Sequence, residues 1–234
     1  MINEEISRRR FVVLGGALVG ATVLGGAGYA ATWAPEVEQP RKTMGAGMSK
    51  VLVVYGTGSG CTAGVAERIG AAIAAKGATV EVVSAKDAPA ADGYDAVFVG
   101  SGVRASNWHA PVKEWVTKNA AALKAGKVAF YTACLTLATE PAKTDAVRAY
   151  TEPLITETGV TPLDIGLFAG WNEPKKFSFI ERTIMKMMKA PEGDFRDWAA
   201  IDAWASQAAV KLGVAPVLDG SGRGDVAGGG AAGL

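Results

Sequence analysis

Residues Thr57-Gly58-Ser59-Gly60-Cys61-Thr62 set three hydroxyls among glycines, directly after the apolar run Val51-Leu52-Val53-Val54-Tyr55. An Ala-rich helical pattern starts near Ala63. Backbone N–H groups at a helix N-terminus, with hydroxyls beside them, bind a phosphate dianion without needing a lysine. No Lys occupies the Walker position and the G-x-x-x-x-G-K-[ST] spacing is absent, which argues against a nucleoside-triphosphate loop. No G-x-G-x-x-G stands in register with the helix, which argues against a dinucleotide fingerprint. The chemistry that fits is capture of one phosphate monoester. The plainer alternative is an ordinary strand–helix connection with a good N-cap.

Further candidates lie downstream. Arg104 suits neutralising an anion or a substrate carboxylate, against the alternative of a solvated loop charge. His109 is the single histidine and suits proton transfer; it also suits the start of a helix. Trp108 suits stacking on a flat π-system, or packing on the following helix. One His and two separated Cys do not build a common zinc site, so no metal is expected. Cys61 and Cys134 would share one sheet edge and read as two independent small residues.

The elements that position these residues alternate. Strands are expected at Val51–Tyr55, Val80–Ser84, Ala96–Gly100, Lys127–Thr132 and Pro162–Phe168. Helical spacing covers Val65–Lys76, Ala110–Leu123, Thr144–Thr158 and Asp197–Leu212. This pattern predicts an α/β fold with a doubly wound, five-stranded parallel sheet. In such sheets ligands bind outside the carboxyl ends of the strands, at the switch point. A long loop over Ser101–Ala110 and an insert at residues 171–191 break the alternation.

The chain is 49% hydrophobic and 20% charged, with formal net charge +1, so it is globular. Without its first thirty residues it is neutral, which leaves no electrostatic footprint for nucleic acid. Ser7-Arg8-Arg9-Arg10-Phe11 precedes an uncharged stretch to Ala34, with Gly28-Tyr29-Ala30 as a small-x-small site. Residues 1–34 are therefore expected to act as a twin-arginine export signal or an anchor, with residues 11–34 able to reach across a bilayer. That places the protein on the periplasmic side of the cytoplasmic membrane; an internal start at Met48 would give a cytoplasmic form. Residues 35–48 read as linker, 49–213 as the folded domain, and 214–234 as a disordered Gly-rich tail.

Thr57-x-Ser59-Gly60-x-Thr62 after a first strand resembles the FMN phosphate loop of flavodoxins. The resemblance extends to the menaquinone-dependent protoporphyrinogen IX dehydrogenases through Val99-Gly100-Ser101-Gly102-Val103-Arg104, His109, Phe130-Tyr131, Phe168-Ala169-Gly170, Phe179-Ile180-Glu181-Arg182 and Asp197-Trp198. It covers about residues 49–212. It implies a flavodoxin-like fold and an FMN cofactor. It implies that Thr57, Gly58, Ser59, Gly60, Cys61 and Thr62 hold the phosphate. It also implies that Ser101, Gly102, Val103 and Trp108, with Thr132, Ala133 and Cys134, flank the isoalloxazine. The implied activity is flavin oxidoreduction with a quinone or a redox protein as partner.

Within the insert, Phe177, Ile180, Ile184, Met187 and Met188 recur at helical spacing among Lys175, Lys176, Arg182, Lys186 and Lys189. Residues 175–189 are expected to form a basic amphipathic helix, either on an anionic membrane or packed on the domain. Two rivals stay open. One is a membrane-associated electron carrier without a small substrate. The other is a cofactor-free, flavodoxin-shaped interaction subunit of a membrane complex.

Overall fold

The computed structural model describes residues 40–214 except 105 and 178, without side chains for residues 179–181. The expected leader, and the tail from residue 215 onward, lie outside the described residues. Five strands run parallel: β2 (Lys50–Gly56), β3 (Thr79–Ser84), β4 (Ala96–Arg104), β6 (Val128–Cys134) and β7 (Asp164–Ala169). With the short edge strand β1 (Lys42–Met44), the order across the sheet is β1-β3-β2-β4-β6-β7, so the chain reverses its direction of travel between β2 and β4. This is the switch point.

Each central strand is buried on both faces, and its residues alternate between two cores. Val51, Val53, Tyr55, Phe98, Ala129 and Tyr131 face the helices α1 (Cys61–Ala74) and α8 (Trp198–Lys211). Leu52, Val54, Val97, Val99, Val128 and Phe130 face α2 (Ala110–Lys118), α3 (Ala120–Ala125) and α6 (Glu152–Thr158). Uninterrupted apolar runs are what two-sided burial demands of parallel strands.

Four expectations change in detail. Lys42–Met44, read as linker, forms the antiparallel edge strand β1 on β3, held where Arg41 Nε meets Glu81 at 3.1 Å and Arg41 Nη2 donates to the Asp87 carbonyl at 2.9 Å. A three-residue edge strand is too short to show a period. The span expected as a loop from Ser101 instead continues β4 to Arg104 and turns back as β5 (Asn107–Trp108), with Val103 opposite Trp108. The helices expected at Ala110–Leu123 and Thr144–Thr158 each break. Asn119 divides α2 from α3, its Nδ2 donating to the Trp115 carbonyl and its Oδ1 accepting from Ala91 N–H. The second span becomes α5 (Thr144–Arg148), a 3-10 turn and α6, with Pro153 in the first turn of α6. The described residues also form two short α-helices, α4 (Thr136–Thr139) and α7 (Phe179–Met187), a 3-10 turn at Pro174–Lys176, and a separate hairpin of β8 (Trp171–Asn172) and β9 (Gly193–Asp194). Val214, grouped with the tail on sequence, is buried on the α8 side.

The sheet centre depends on one close approach. Tyr131 on β6 is fully buried, and its hydroxyl donates to the Val54 carbonyl at 3.2 Å. To reach it the ring crosses Gly100 of β4, and a Cβ there would overlap the ring. Trp204 of α8 then packs on Tyr131, Phe98 and Phe168, with ring centroids 6.2, 5.9 and 5.4 Å apart. Gly100→Ala is expected to destabilise the domain by about 1–3 kcal/mol through overpacking. Tyr131→Phe should cost about 1 kcal/mol for its hydrogen bond. Urea unfolding of both variants checks this, and a neutral Gly100→Ala would contradict the packing.

Candidate functional site

The carboxyl ends of β2, β4, β6 and β7 finish level. Gly56 pairs with Ser101, Gly102 with Ala133, and Cys134 with Ala169. The loop after β2 runs straight into α1. Its N-cap, Gly60, has φ 90°, a left-handed conformation that favours glycine. Thr57 Oγ1 accepts the Gly60 N–H at 2.9 Å, and Ser59 Oγ accepts the Trp171 indole N–H at 3.1 Å. A hydroxyl that accepts in this way keeps its own proton to donate. The first turn of α1 carries no acidic residue and its N-cap makes no side-chain cap. A helix end of this kind suits an external anion.

The β4–β5 hairpin brings the two expected catalytic residues onto this loop. A Cβ on Gly58 would lie 3.0 Å from His109 Cε1 and 3.5 Å from Arg104 Nη2. A Cβ on Gly102 would lie 3.0 Å from Thr62 Oγ1 and 3.4 Å from His109 Nε2. Both glycines thus make room for Thr62, His109 and Arg104 to meet. Ser101 is fully buried and locks the hairpin: its hydroxyl donates to the Gly102 carbonyl at 2.7 Å and accepts His109 N–H at 2.9 Å.

Other expected residues sit elsewhere. Trp108 is 4% exposed, packs on Phe130 at 5.3 Å between centroids, and donates its indole N–H to Thr132 Oγ1 at 3.1 Å. Pairing with Val103 turns it into the core, the packing alternative of the two that its position allows. Val103 is half-buried against the same core. Thr132, Ala133 and Cys134 are buried at the carboxyl end of β6.

Cys61 and Cys134 are both free thiols, with Gly170 between them: a Cβ there would lie 3.3 Å from Cys61 Sγ and 3.6 Å from Cys134 Cα. Burial pushes the Cys61 thiol up from its ordinary 9.0 to about 11, against weaker opposition from the Trp171 backbone and Arg196. Burial raises Cys134 as well. Neither is poised as a thiolate nucleophile. Among the described residues no His, Cys, Asp and Glu cluster could hold a metal ion.

Sequence reasoning missed a layer behind the loop. The Arg196 guanidinium lies 4.3 Å from the ring centroids of both Trp171 and Trp198. It pairs bidentately with Asp194 at 2.8 and 2.6 Å, and Nη1 donates to the Cys61 carbonyl at 3.3 Å. The one signal in the chain is Gly64, a glycine early in a helix that would otherwise favour Ala.

These features define the class: a doubly wound α/β protein with a hydroxyl- and glycine-rich loop on a helix N-terminus at the switch point of its sheet. A family model described as the Flavodoxin domain matches residues 52–198. The chain belongs to that family, and its cofactor is FMN. The residues present fit it, because hydroxyl and N–H donors converge on a helix end and two glycines keep the cradle open. The chain is 28% identical over 181 residues to the protoporphyrinogen IX dehydrogenase (quinone) of Leishmania major, covering 71% of this chain and 78% of that protein. It is 22% identical over 171 residues to the Escherichia coli K12 protein of the same name, covering 68% of this chain and 94% of that protein. Among solved structures it resembles an archaeal flavodoxin at 19% identity and TM-score 0.45, covering 70% of this chain and 99% of that chain. It also resembles the two-electron reduced flavodoxin of Megasphaera elsdenii at 22% identity and TM-score 0.44, covering 67% and 98%. An FMN-type redox function follows from the family and the curated relatives.

The raised Cys61 thiol has a consequence for stability. Below pH 9 the thiol is protonated whether the chain is folded or not, and its contribution is fully present. Between about pH 9 and 11 the unfolded chain loses the proton while the fold retains it, so stability falls. The loss approaches about 2–3 kcal/mol. Urea unfolding at pH 8 and pH 10.5 should show a shallower alkaline decline in Cys61→Ala than in the unsubstituted protein. Equal slopes would contradict the burial of this thiol.

Proposed function

We propose that the chain is an FMN-dependent oxidoreductase that passes electrons to a quinone, with a tetrapyrrole of the protoporphyrinogen class as its donor. The observation that carries this reading is the convergence of the hydroxyl loop, Arg104 and His109 at the switch point. The names of the curated relatives supply the donor and acceptor classes. FMN, when bound, supplies the electron chemistry. The chain's residues do the rest. Loop 57–62 anchors the phosphate, Arg104 offsets negative charge on the cofactor or on a substrate carboxylate, and His109 carries a proton at its ring nitrogen.

The reading includes a place in the cell. The leader would send a folded, flavin-loaded domain outward through a twin-arginine route, which suits a non-covalent cofactor. Met187 and Met188 at the end of α7 are exposed beside Lys186 and Lys189, a composition that suits contact with anionic lipid near a quinone pool. Among the described residues no helix is long and apolar enough to cross a membrane, so this contact is proposed as interfacial.

Thr57→Val/Thr62→Val removes two donors to a dianion, each worth roughly 1.5–3 kcal/mol, so FMN affinity should fall about a hundredfold or more. Unchanged FMN retention would refute the loop assignment. Yellow full-length protein should oxidise protoporphyrinogen IX with a quinone acceptor, and His109→Gln or Arg104→Gln should lower kcat/KM about a hundredfold at constant flavin content. Electron exchange with a protein partner but no turnover would select the carrier, and colourless native protein the cofactor-free subunit.

Leader-less protein should sediment with anionic vesicles at low salt and be released as salt rises. Charge reversal at Lys186 and Lys189 should abolish sedimentation with FMN still bound. Failure of the unsubstituted domain to sediment would remove the lipid contact.

A further inference from the structure

The layer behind the phosphate loop joins three segments that are distant in the chain. Trp171 follows β7 and opens the insert and β8, while Asp194 ends β9, Arg196 follows it and Trp198 is the first residue of α8. Ser59 and Cys61 belong to the loop and to the first residue of α1. The Arg196 side chain is 8% exposed and uses its donors on both sides: Nε and Nη2 on Asp194, Nη1 on the Cys61 carbonyl. Its faces lie against Trp171 and Trp198. Gly64, one turn into α1, leaves the room: a Cβ there would lie 2.5 Å from Arg196 Nη1. The ion pair with Asp194 offsets the guanidinium charge, so this arginine does not act as a bare cation on the phosphate. Hydrogen bonding to Arg196 holds the Asp194 carboxyl below its usual range, consistent with a persistent pair.

The geometry points to Arg196 as a positioning residue for the phosphate donors, acting through Trp171. The guanidinium fixes the plane of the Trp171 indole, and the indole N–H occupies a lone pair of Ser59 Oγ at 3.1 Å. The Ser59 proton is thereby directed away from Trp171, toward the space above the α1 N-terminus. The same guanidinium ties the Cys61 carbonyl, which sets the tilt of the first helical turn and of its N–H groups. The insert base therefore serves the phosphate grip as well as the far end of the insert. A planar, stacked, bidentate role of this kind is one that Lys cannot fill.

This inference rests on the reading of loop 57–62 as the phosphate site. Full-length protein loaded with FMN, or with riboflavin, which has the same ring and ribityl chain but no phosphate, is diluted, and flavin release is followed by recovery of flavin fluorescence. Arg196→Lys keeps the charge and loses the stack. Trp171→Phe keeps an aromatic face for Arg196 and loses only the N–H. Both should release FMN about tenfold faster and riboflavin at the unsubstituted rate, the size of one lost hydrogen bond to the phosphate grip. Gly64→Ala should do the same by displacing the guanidinium, and should add nothing in an Arg196→Lys background, because both changes remove one interaction. An unchanged FMN-to-riboflavin ratio in Arg196→Lys and Trp171→Phe overturns the proposal, as does equal acceleration of both flavins, the mark of general loosening. If the unsubstituted protein itself releases FMN and riboflavin equally fast, the phosphate-site reading fails first and the positioning role with it.

Discussion

The open N-terminus of α1 at the switch point of the sheet is the constraint on which the rest of this account depends. The N-terminus of α1 offers N–H groups that cannot bond within the helix, at the positive end of its dipole. Three hydroxyls stand beside it, two of them already accepting from Gly60 N–H and the Trp171 indole. No acidic side chain sits in the first turn to satisfy the helix internally. An anion-binding end of this kind must lie where the sheet opens, and the parallel register of β2, β4 and β6 puts it there.

The hairpin on β4 supplies what the helix end lacks, a charged side chain and a titratable ring. Arg104 ends β4 and His109 follows β5, so a tight reversal brings both back over Gly58. The reversal is stiff because Ser101 bonds across it and Trp108 is anchored on Thr132 and Phe130. The buried tryptophan contributes rigidity beneath the site, while Arg104 and His109 lie against Gly58. Beneath all of this, Gly100 lets Tyr131 reach Val54, and Trp204 closes the layer from α8.

The parallel strands and the hydroxyl-glycine loop leading into α1 were legible in the sequence because each is a local pattern. A two-sided apolar run needs only its own five or six residues to be recognised, and so does a hydroxyl-glycine turn before an Ala-rich helix. Trp108 was not legible, because alternation in a two-residue strand decides whether a tryptophan faces a ligand or the core. The edge strand Lys42–Met44 was hidden by its length. The Trp171–Ser59 and Arg196–Cys61 contacts span 112 and 135 positions, and no local spacing can announce them. Gly64 alone carried a trace, since a glycine inside a helix calls for a neighbour that needs the space.

The most direct measurement of the central claim is the phosphorus-31 NMR spectrum of the FMN-loaded protein across pH 5 to 8. A free phosphate monoester titrates near pH 6. A phosphate gripped as the dianion by the α1 N-terminus and its hydroxyls should give one shifted resonance whose position does not change over that range. A resonance that titrates as free FMN does would contradict the account, because it would leave the phosphate in solvent and the loop without its ligand.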